Sequence, residues 1–116
     1  MRITEREQAG ATVLALAGEF VGEAAAQLRK QASRRLATDG RRDIVLDCTE
    51  VYGIDSAGLE TLLWLQDACA ERLGHVRLAA CPATLDTVLR VTRLAGQFDR
   101  HASVDEAVAA AHTLAG

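Results

Sequence analysis

At Asp55-Ser56-Ala57-Gly58-Leu59 a carboxylate, a hydroxyl and two small residues stand together just where a helical pattern begins. Two kinds of chemistry suit that arrangement. One is capping: Asp and Ser oxygens accept hydrogen bonds from the free amides of a first helical turn, worth about 1 kcal/mol. The other is phosphate chemistry. One capping side chain is enough, yet two candidates stand side by side. A helix N-terminus offers unpaired N–H groups and a partial positive charge, and both stabilise a phosphate placed there. Gly58 is unfavourable inside a helix by ~1 kcal/mol against Ala; with Ala57 it leaves the Ser56 hydroxyl open to something large. Asp55 opposes a second negative charge, so the position tolerates phosphate without locking onto it.

Other chemistries fit less well. A serine hydrolase of the nucleophile-elbow type needs Gly-x-Ser-x-Gly, and Gly53 stands one place too far back. His75, His101 and His112 are scattered and read as surface or satisfied histidines. Asp47 at the end of an aliphatic run has the look of a receiver phosphoacceptor. That chemistry needs acidic neighbours for Mg²⁺ and a lysine opposite. The first strands supply only Glu5, Glu7 and Glu19, and the single lysine, Lys30, falls mid-helix. Asp47 reads instead as a brace for the loop before Ser56. No glycine-rich phosphate loop followed by Lys occurs, so any ATP has to come with a partner. Cys48, Cys69 and Cys81 form no Cys-x-x-Cys pair and no zinc-ligand spacing. They read as reduced, buried thiols, and neither metal nor cofactor is expected.

The elements that must position Ser56 can be read from periodicity. Strands are expected at Arg2–Glu7, Ala11–Ala17, Ile44–Leu46, Val76–Ala80 and Phe98–Ala102. The loop Gly18-Glu19-Phe20-Val21-Gly22 precedes a helix to Leu36 with the stripe Ala25, Leu28, Ala32 and Leu36. Asp39-Gly40 turns the chain. A second helix runs from Ser56 to Leu73 with Gly74 as its stop. A third begins at Pro82, whose missing N–H costs nothing in a first turn, and runs to Leu94. Ser103-Val104-Asp105-Glu106 is a capping box opening a fourth, which turns Val104, Ala107, Val108 and Ala111 inward. Strands alternating with helices after an opening hairpin give a single α/β domain, a largely parallel mixed sheet of four to five strands with about four helices. In such folds sites favour the loops at the carboxyl ends of parallel strands, where the segment leading to Ser56 lies.

Composition narrows the partners. The chain has 116 residues, 49% hydrophobic and 25% charged, which suits one globular domain. A net charge of −3 disfavours nucleic acid as a partner. Arg34, Arg35, Arg41 and Arg42 cluster around one turn and read as a solvated rim. The first residues carry no apolar core of a signal peptide, and no run approaches the ~20 residues of a membrane span. A cytoplasmic protein without membrane insertion is expected.

The runs Ile44-Val45-Leu46-Asp47 and Asp55-Ser56-Ala57-Gly58-Leu59, with Val51 and Ile54 between them, resemble the STAS domain of bacterial anti-sigma factor antagonists. In that family the second run is typically Asp-Ser-Ser-Gly-Leu. Leu16-Ala17-Gly18-Glu19-Phe20 resembles its Gly-Glu-Leu-Asp-like marker. Leu85-Asp86-Thr87-Val88-Leu89 through Phe98-Asp99 resembles its C-terminal helix and turn, so the likeness spans nearly the whole chain. The resemblance implies a non-enzymatic switch in transcriptional signalling. The unmodified domain binds an anti-sigma factor that is also a serine kinase and carries the ATP. Phosphorylation of Ser56 releases it. Asp55, Ala57, Gly58, Glu19 and Val21 are then expected at the partner contact. Two positions depart from the pattern: Ala57 stands where the second serine is usual, and Val21 where an Asp follows Gly-Glu-Leu. Members of the family also serve as soluble subunits of transport complexes and as pieces of stress-signalling scaffolds.

A projection of the second helix at 100° per residue sets Leu59, Leu62, Leu63, Ala70 and Leu73 inward. It points Trp64 outward beside Glu60 and Glu71. Glu60 and Trp64 therefore join the expected partner face; Trp64 is either its anchor or tucked against a neighbouring helix or loop.

Overall fold

The computed structural model describes residues 1–37 and 43–115. Its elements run β1 (Arg2–Gln8), β2 (Ala11–Phe20), α1 (Gly22–Leu36), β3 (Ile44–Ile54), α2 (Ser56–Glu71), β4 (Val76–Ala79), α3 (Ala83–Val91), a 3-10 turn (Ala95–Gln97), β5 (Asp99–His101) and α4 (Val104–Ala115). The turn expected at Asp39-Gly40 and the arginines Arg41 and Arg42 lie outside the described residues. One sheet has the order β1-β2-β3-β4-β5. Only the β1–β2 hairpin is antiparallel; the other pairings are parallel. The fold is thus the α/β arrangement with a largely parallel sheet that the alternation of strand and helix indicates. The hairpin turns on two residues of positive φ, Ala9 at 51° and Gly10 at 85°, the geometry that matches strand twist in a two-residue turn.

Side-chain alternation divides the interior into two cores. Leu14, Leu16, Ile44, Leu46 and Leu78 face the larger core with Leu28 of α1, Leu62 and Leu65 of α2, and Leu85 and Leu89 of α3. Val13, Val45 and Ala79 face the opposite side under Ala107 and Val108 of α4. Successive strand residues point to opposite faces, so the unbroken run Ile44-Val45-Leu46 serves both cores at once.

β2 and β3 are longer than hydrophobicity predicts. β3 continues from Leu46 to Ile54, and β2 passes through the expected loop as far as Phe20. Past Asp47, β3 has no further β4 partner, and β2 and β3 go on as a two-stranded parallel ribbon. Its register steps from Ala15↔Asp47 to Ala17↔Glu50, then from Gly18↔Val51 to Glu19↔Gly53. Each step leaves one extra residue on β3, the mark of a bulge, which bends and twists a strand. Exposed Thr49, Glu50 and Tyr52 make this part of β3 look like a loop in the sequence. The ribbon ends at the pair Phe20↔Ile54, so α1 and α2 start side by side.

α1 keeps its expected bounds and stripe, burying Ala24, Ala25, Leu28, Ala32 and Leu36. α2 is rotated from its projection. It buries Gly58, Thr61, Leu62, Leu65 and Cys69, while Leu59 and Leu63 are half-buried and Leu73 is 81% exposed. The helix stops at Glu71; Leu73 takes a left-handed φ of 60°, and the Gly74 N–H donates to the Cys69 carbonyl at 2.9 Å. Leucines ring this helix because it packs on both the sheet and α1, so their vector does not mark its buried centre. Pro82 is the N-cap of α3 rather than its first residue, and α3 ends at Val91 rather than Leu94. At α4, Ser103 Oγ accepts from the Glu106 N–H at 3.1 Å, and Glu106 Oε2 accepts from the Ala102 N–H at 3.2 Å. The return bond falls one residue earlier than in the standard box.

The rotation of α2 has a direct check in urea unfolding. Leu65→Ala is expected to lose ~2–5 kcal/mol, as a buried leucine does. Leu73→Ala should change stability by less than ~0.5 kcal/mol. The reverse order would restore the projected orientation.

Candidate functional site

The site begins with the Asp55 carboxylate. Asp55 is the N-cap of α2, in extended conformation at φ −115° and ψ −172°. Its Oδ1 accepts from the Gly58 N–H at 3.0 Å, and its Oδ2 accepts from the Gly22 N–H at 3.3 Å. Gly22 is the first residue of α1, whose N-cap, Val21, makes no side-chain cap. One carboxylate therefore satisfies an orphan amide at each of two helix N-termini, where the positive ends of both helices stabilise its charge. The Asp55 N–H donates to the Phe20 carbonyl at 3.4 Å, tying the loop after β3 to the end of β2.

Gly58 belongs to this tie rather than to an open surface around the hydroxyl. It is buried, and a Cβ on it would lie 2.3 Å from the Phe20 carbonyl oxygen and 2.7 Å from Ile54 Cγ1. Only glycine lets α2 approach β2 this closely. Ala57 is half-buried against the larger core.

Ser56 is the first residue of α2 and is exposed. With Asp55 already capping the helix, Ser56 has no capping task, and among the described residues its hydroxyl has no hydrogen-bond partner. The Ser56 and Ala57 amides lie in the first turn, where no helical acceptor exists. An exposed hydroxyl beside free N–H donors is an acceptor geometry for a phosphoryl group. Asp55 precedes it and Glu60 follows one turn later in α2, both exposed; exposed Glu19 near the end of β2 and Glu23 in the first turn of α1 belong to the elements that Asp55 ties to this helix start. Glu19 lies over Gly53, where a Cβ would sit 3.5 Å from its Cγ.

Trp64 does not stand free. It is half-buried against the larger core, and the Arg29 guanidinium of α1 lies 4.9 Å from its ring centroid. It bridges α2 to α1 with a cation–π contact, so only its remaining surface is open to a partner. Asp47 braces the segment before Ser56, which is strand rather than loop, accepting from the Thr49 N–H at 3.1 Å and Oγ1 at 2.6 Å. Sequence reasoning missed Gly22, Glu23 and Phe20 as parts of the site. The signal available was Val21, a helix start without a capping side chain, which calls for a donor-satisfying group from elsewhere. Among the described residues no group of His, Cys, Asp and Glu is arranged to hold a metal.

The STAS domain family model matches residues 2–107. No curated protein matches the chain. Among solved structures, a putative anti-sigma factor antagonist from Thermotoga maritima is similar with a TM-score of 0.86 at 19% identity, covering 94% of this chain and 93% of that one. The anti-sigma factor antagonist SpoIIAA in its unphosphorylated form has a TM-score of 0.80 at 19% identity, covering 92% and 93%. The Bacillus cell fate determinant SpoIIAA in its phosphorylated form has 0.71 at 20%, covering 93% and 97%. The murine solute carrier 26 family member A9 anion transporter has 0.78 at 17%, covering 93% of this chain but 18% of that one. At these identities the likeness is one of fold.

Two substitutions test the tie. On helix propensity alone Gly58→Ala would stabilise by ~1 kcal/mol. The contact with the Phe20 carbonyl reverses the sign, and a loss of ~1–3 kcal/mol is expected in chemical denaturation. Asp55→Ala, which strips amides of both helices, should cost ~1–2 kcal/mol. A stabilised Gly58→Ala would show that α2 does not approach β2 so closely.

Proposed function

From the premise that this chain belongs to the STAS domain family, we propose that it is an anti-sigma factor antagonist acting as a protein-binding phosphoswitch. The unmodified domain docks through the Ser56 face on an anti-sigma factor that is also a serine kinase, and displaces a sigma factor. The kinase brings the ATP, and the reaction takes place in the cytoplasm. Phosphate on Ser56 then ends the contact. One observation carries this function: an exposed Ser56 hydroxyl at a helix start whose capping is done by Asp55.

The release has simple electrostatics. A phosphoserine carries about −1.5 to −2 charges at pH 7. Here it is added next to Asp55, on elements that also carry the exposed acids Glu19, Glu23 and Glu60, and at a contact where desolvating it is unfavourable. A coupling of ~3 kcal/mol changes affinity more than a hundredfold. The acidic rim also favours a partner surface that is basic there. In this role the chain binds and is modified, and catalysis belongs to the partner. Among the described residues no helix is long and apolar enough to cross a membrane.

A second role keeps the fold and changes the partner. The likeness to the solute carrier structure supports service as a STAS piece of a transport complex, docking through the same α1–α2 ends.

Binding to a kinase-type anti-sigma factor separates the two. Ser56→Ala should retain wild-type affinity within about threefold, while Ser56→Glu should weaken it by ~10-fold or more. Equal affinities for all three proteins would remove the switch, and a transport-complex ATPase recovered in place of the kinase would favour the second role.

A further inference from the structure

Cys48 and Cys81 are brought together by the sheet, and the proposed phosphoswitch makes no use of them. Cys48 follows Asp47, the last β3 residue paired with β4, whose partner is Ala79. Cys81 comes two residues after Ala79. Had β4 simply continued, Cys81 would point away from Cys48, because strand side chains alternate. It does not, because Ala80 takes a left-handed φ of 55°. That conformation is unfavourable for a residue with a Cβ. The Ala80 N–H is held there by the His101 carbonyl at 2.9 Å. The turn returns Cys81 to the larger core, where Cys48 is buried and Cys81 packs half-buried against it. Each thiol is the other's strongest influence on its titration. Continued one step, the register sets Cys48 opposite position 80, so Cys81 is one residue past its cross-strand neighbour.

The pair is chemically asymmetric. The neighbouring Cys48 thiol lowers the Cys81 thiol from its ordinary value, the nearby Arg100 charge acts in the same direction, and burial opposes both. Cys48 is raised, first by its Cys81 neighbour and then by burial. Its proton also lies within reach of the Leu46 carbonyl, 3.6 Å from Sγ. Cys69 stands apart on α2, buried, with its thiol pushed up to about 12 chiefly by burial.

We propose that Cys81 and Cys48 are a peroxide-oxidisable dithiol, Cys81 the attacking sulfur and Cys48 the resolving one. The Cys81 thiolate attacks one oxygen of a hydroperoxide. The O–O bond breaks, the other oxygen leaves and takes a proton, and Cys81 becomes a sulfenic acid. The Cys48 sulfur then attacks the Cys81 sulfur, the S–O bond breaks, and the hydroxyl leaves as water with the Cys48 proton. Two thiols and one hydrogen peroxide give one disulfide and two waters. The bond fastens β3 to the β4–α3 turn just before the ribbon that carries Asp55 and Ser56, so oxidation state is written onto the strand that presents the site.

The experiment is peptide mass spectrometry of the intact folded chain after treatment with hydrogen peroxide and alkylation of the remaining thiols. The expected result is a cross-linked pair of peptides bearing Cys48 and Cys81, lighter by two hydrogens and undone by dithiothreitol, with Cys69 alkylated. Formation should quicken as pH rises through the Cys81 titration, since the thiolate is the nucleophile. Cys48→Ala should leave Cys81 as a sulfenic acid trapped by dimedone. Cys81→Ala, at a half-buried position that tolerates truncation better, should abolish the cross-link and leave Cys48 reduced. Sulfinic acid on Cys81 with Cys48 still alkylatable would overturn the proposal. So would three alkylated cysteines after peroxide treatment, or a cross-link to Cys69.

Discussion

Everything at this site depends on a single carboxylate serving two helices. Asp55 Oδ1 holds the Gly58 amide of α2 and Oδ2 the Gly22 amide of α1. The constraint runs outward from there. Both helix starts are fixed against each other, and both are fixed to the ends of their strands, because the Asp55 amide is held by the Phe20 carbonyl. A helix needs only one capping side chain per amide. With Asp55 doing that for α2, the neighbouring Ser56 is released from any structural duty and stands exposed. Val21, which cannot cap α1, makes the dependence on Asp55 stronger.

The close approach at Gly58 is the second half of the same constraint. The ribbon of β2 and β3 runs beyond the rest of the sheet and bends at two bulges, so its tip meets the first turn of α2 almost in contact. A side chain at position 58 would collide first with the Phe20 backbone carbonyl and also with the Ile54 side chain. The frame around Ser56 is therefore stiff, while the hydroxyl itself is free. That division suits the proposed modification switch: a partner would meet a preorganised surface, and a phosphate would change its charge without having to refold it.

Much of this was legible in the letters, and the failures share a cause. α1 was read with its correct bounds because its polar and apolar faces are cleanly separated. Asp55-Ser56-Ala57-Gly58 marked a helix start with two candidate caps; the structure gives the cap to Asp55 and leaves Ser56 exposed. Hydrophobicity alone misjudged β3, since Thr49, Glu50 and Tyr52 lie on an exposed ribbon and look like a loop. The α2 stripe was misplaced because leucines surround a helix packed on two neighbours, and Thr61, a buried polar residue, carried no apolar signal. The same projection pointed Trp64 outward and left open whether it anchors a partner or tucks against a neighbouring helix; Arg29 of α1 over its ring shows the second. The second half of Asp55's role, its bond to Gly22, joins residues far apart in the chain and has no local signature. Ala80, whose left-handed backbone sets Cys81 beside Cys48, gave no warning either, because alanine rarely adopts that conformation.

The most direct measurement locates the phosphate. The wild-type chain is incubated with a kinase-type anti-sigma factor and ATP, and its peptides are mapped by fragmentation. A freed hydroxyl at the start of α2 predicts one added phosphate, on Ser56 and on no other residue. Phosphate on Ser33, Ser103 or a threonine, with Ser56 left bare, would contradict the account at its centre.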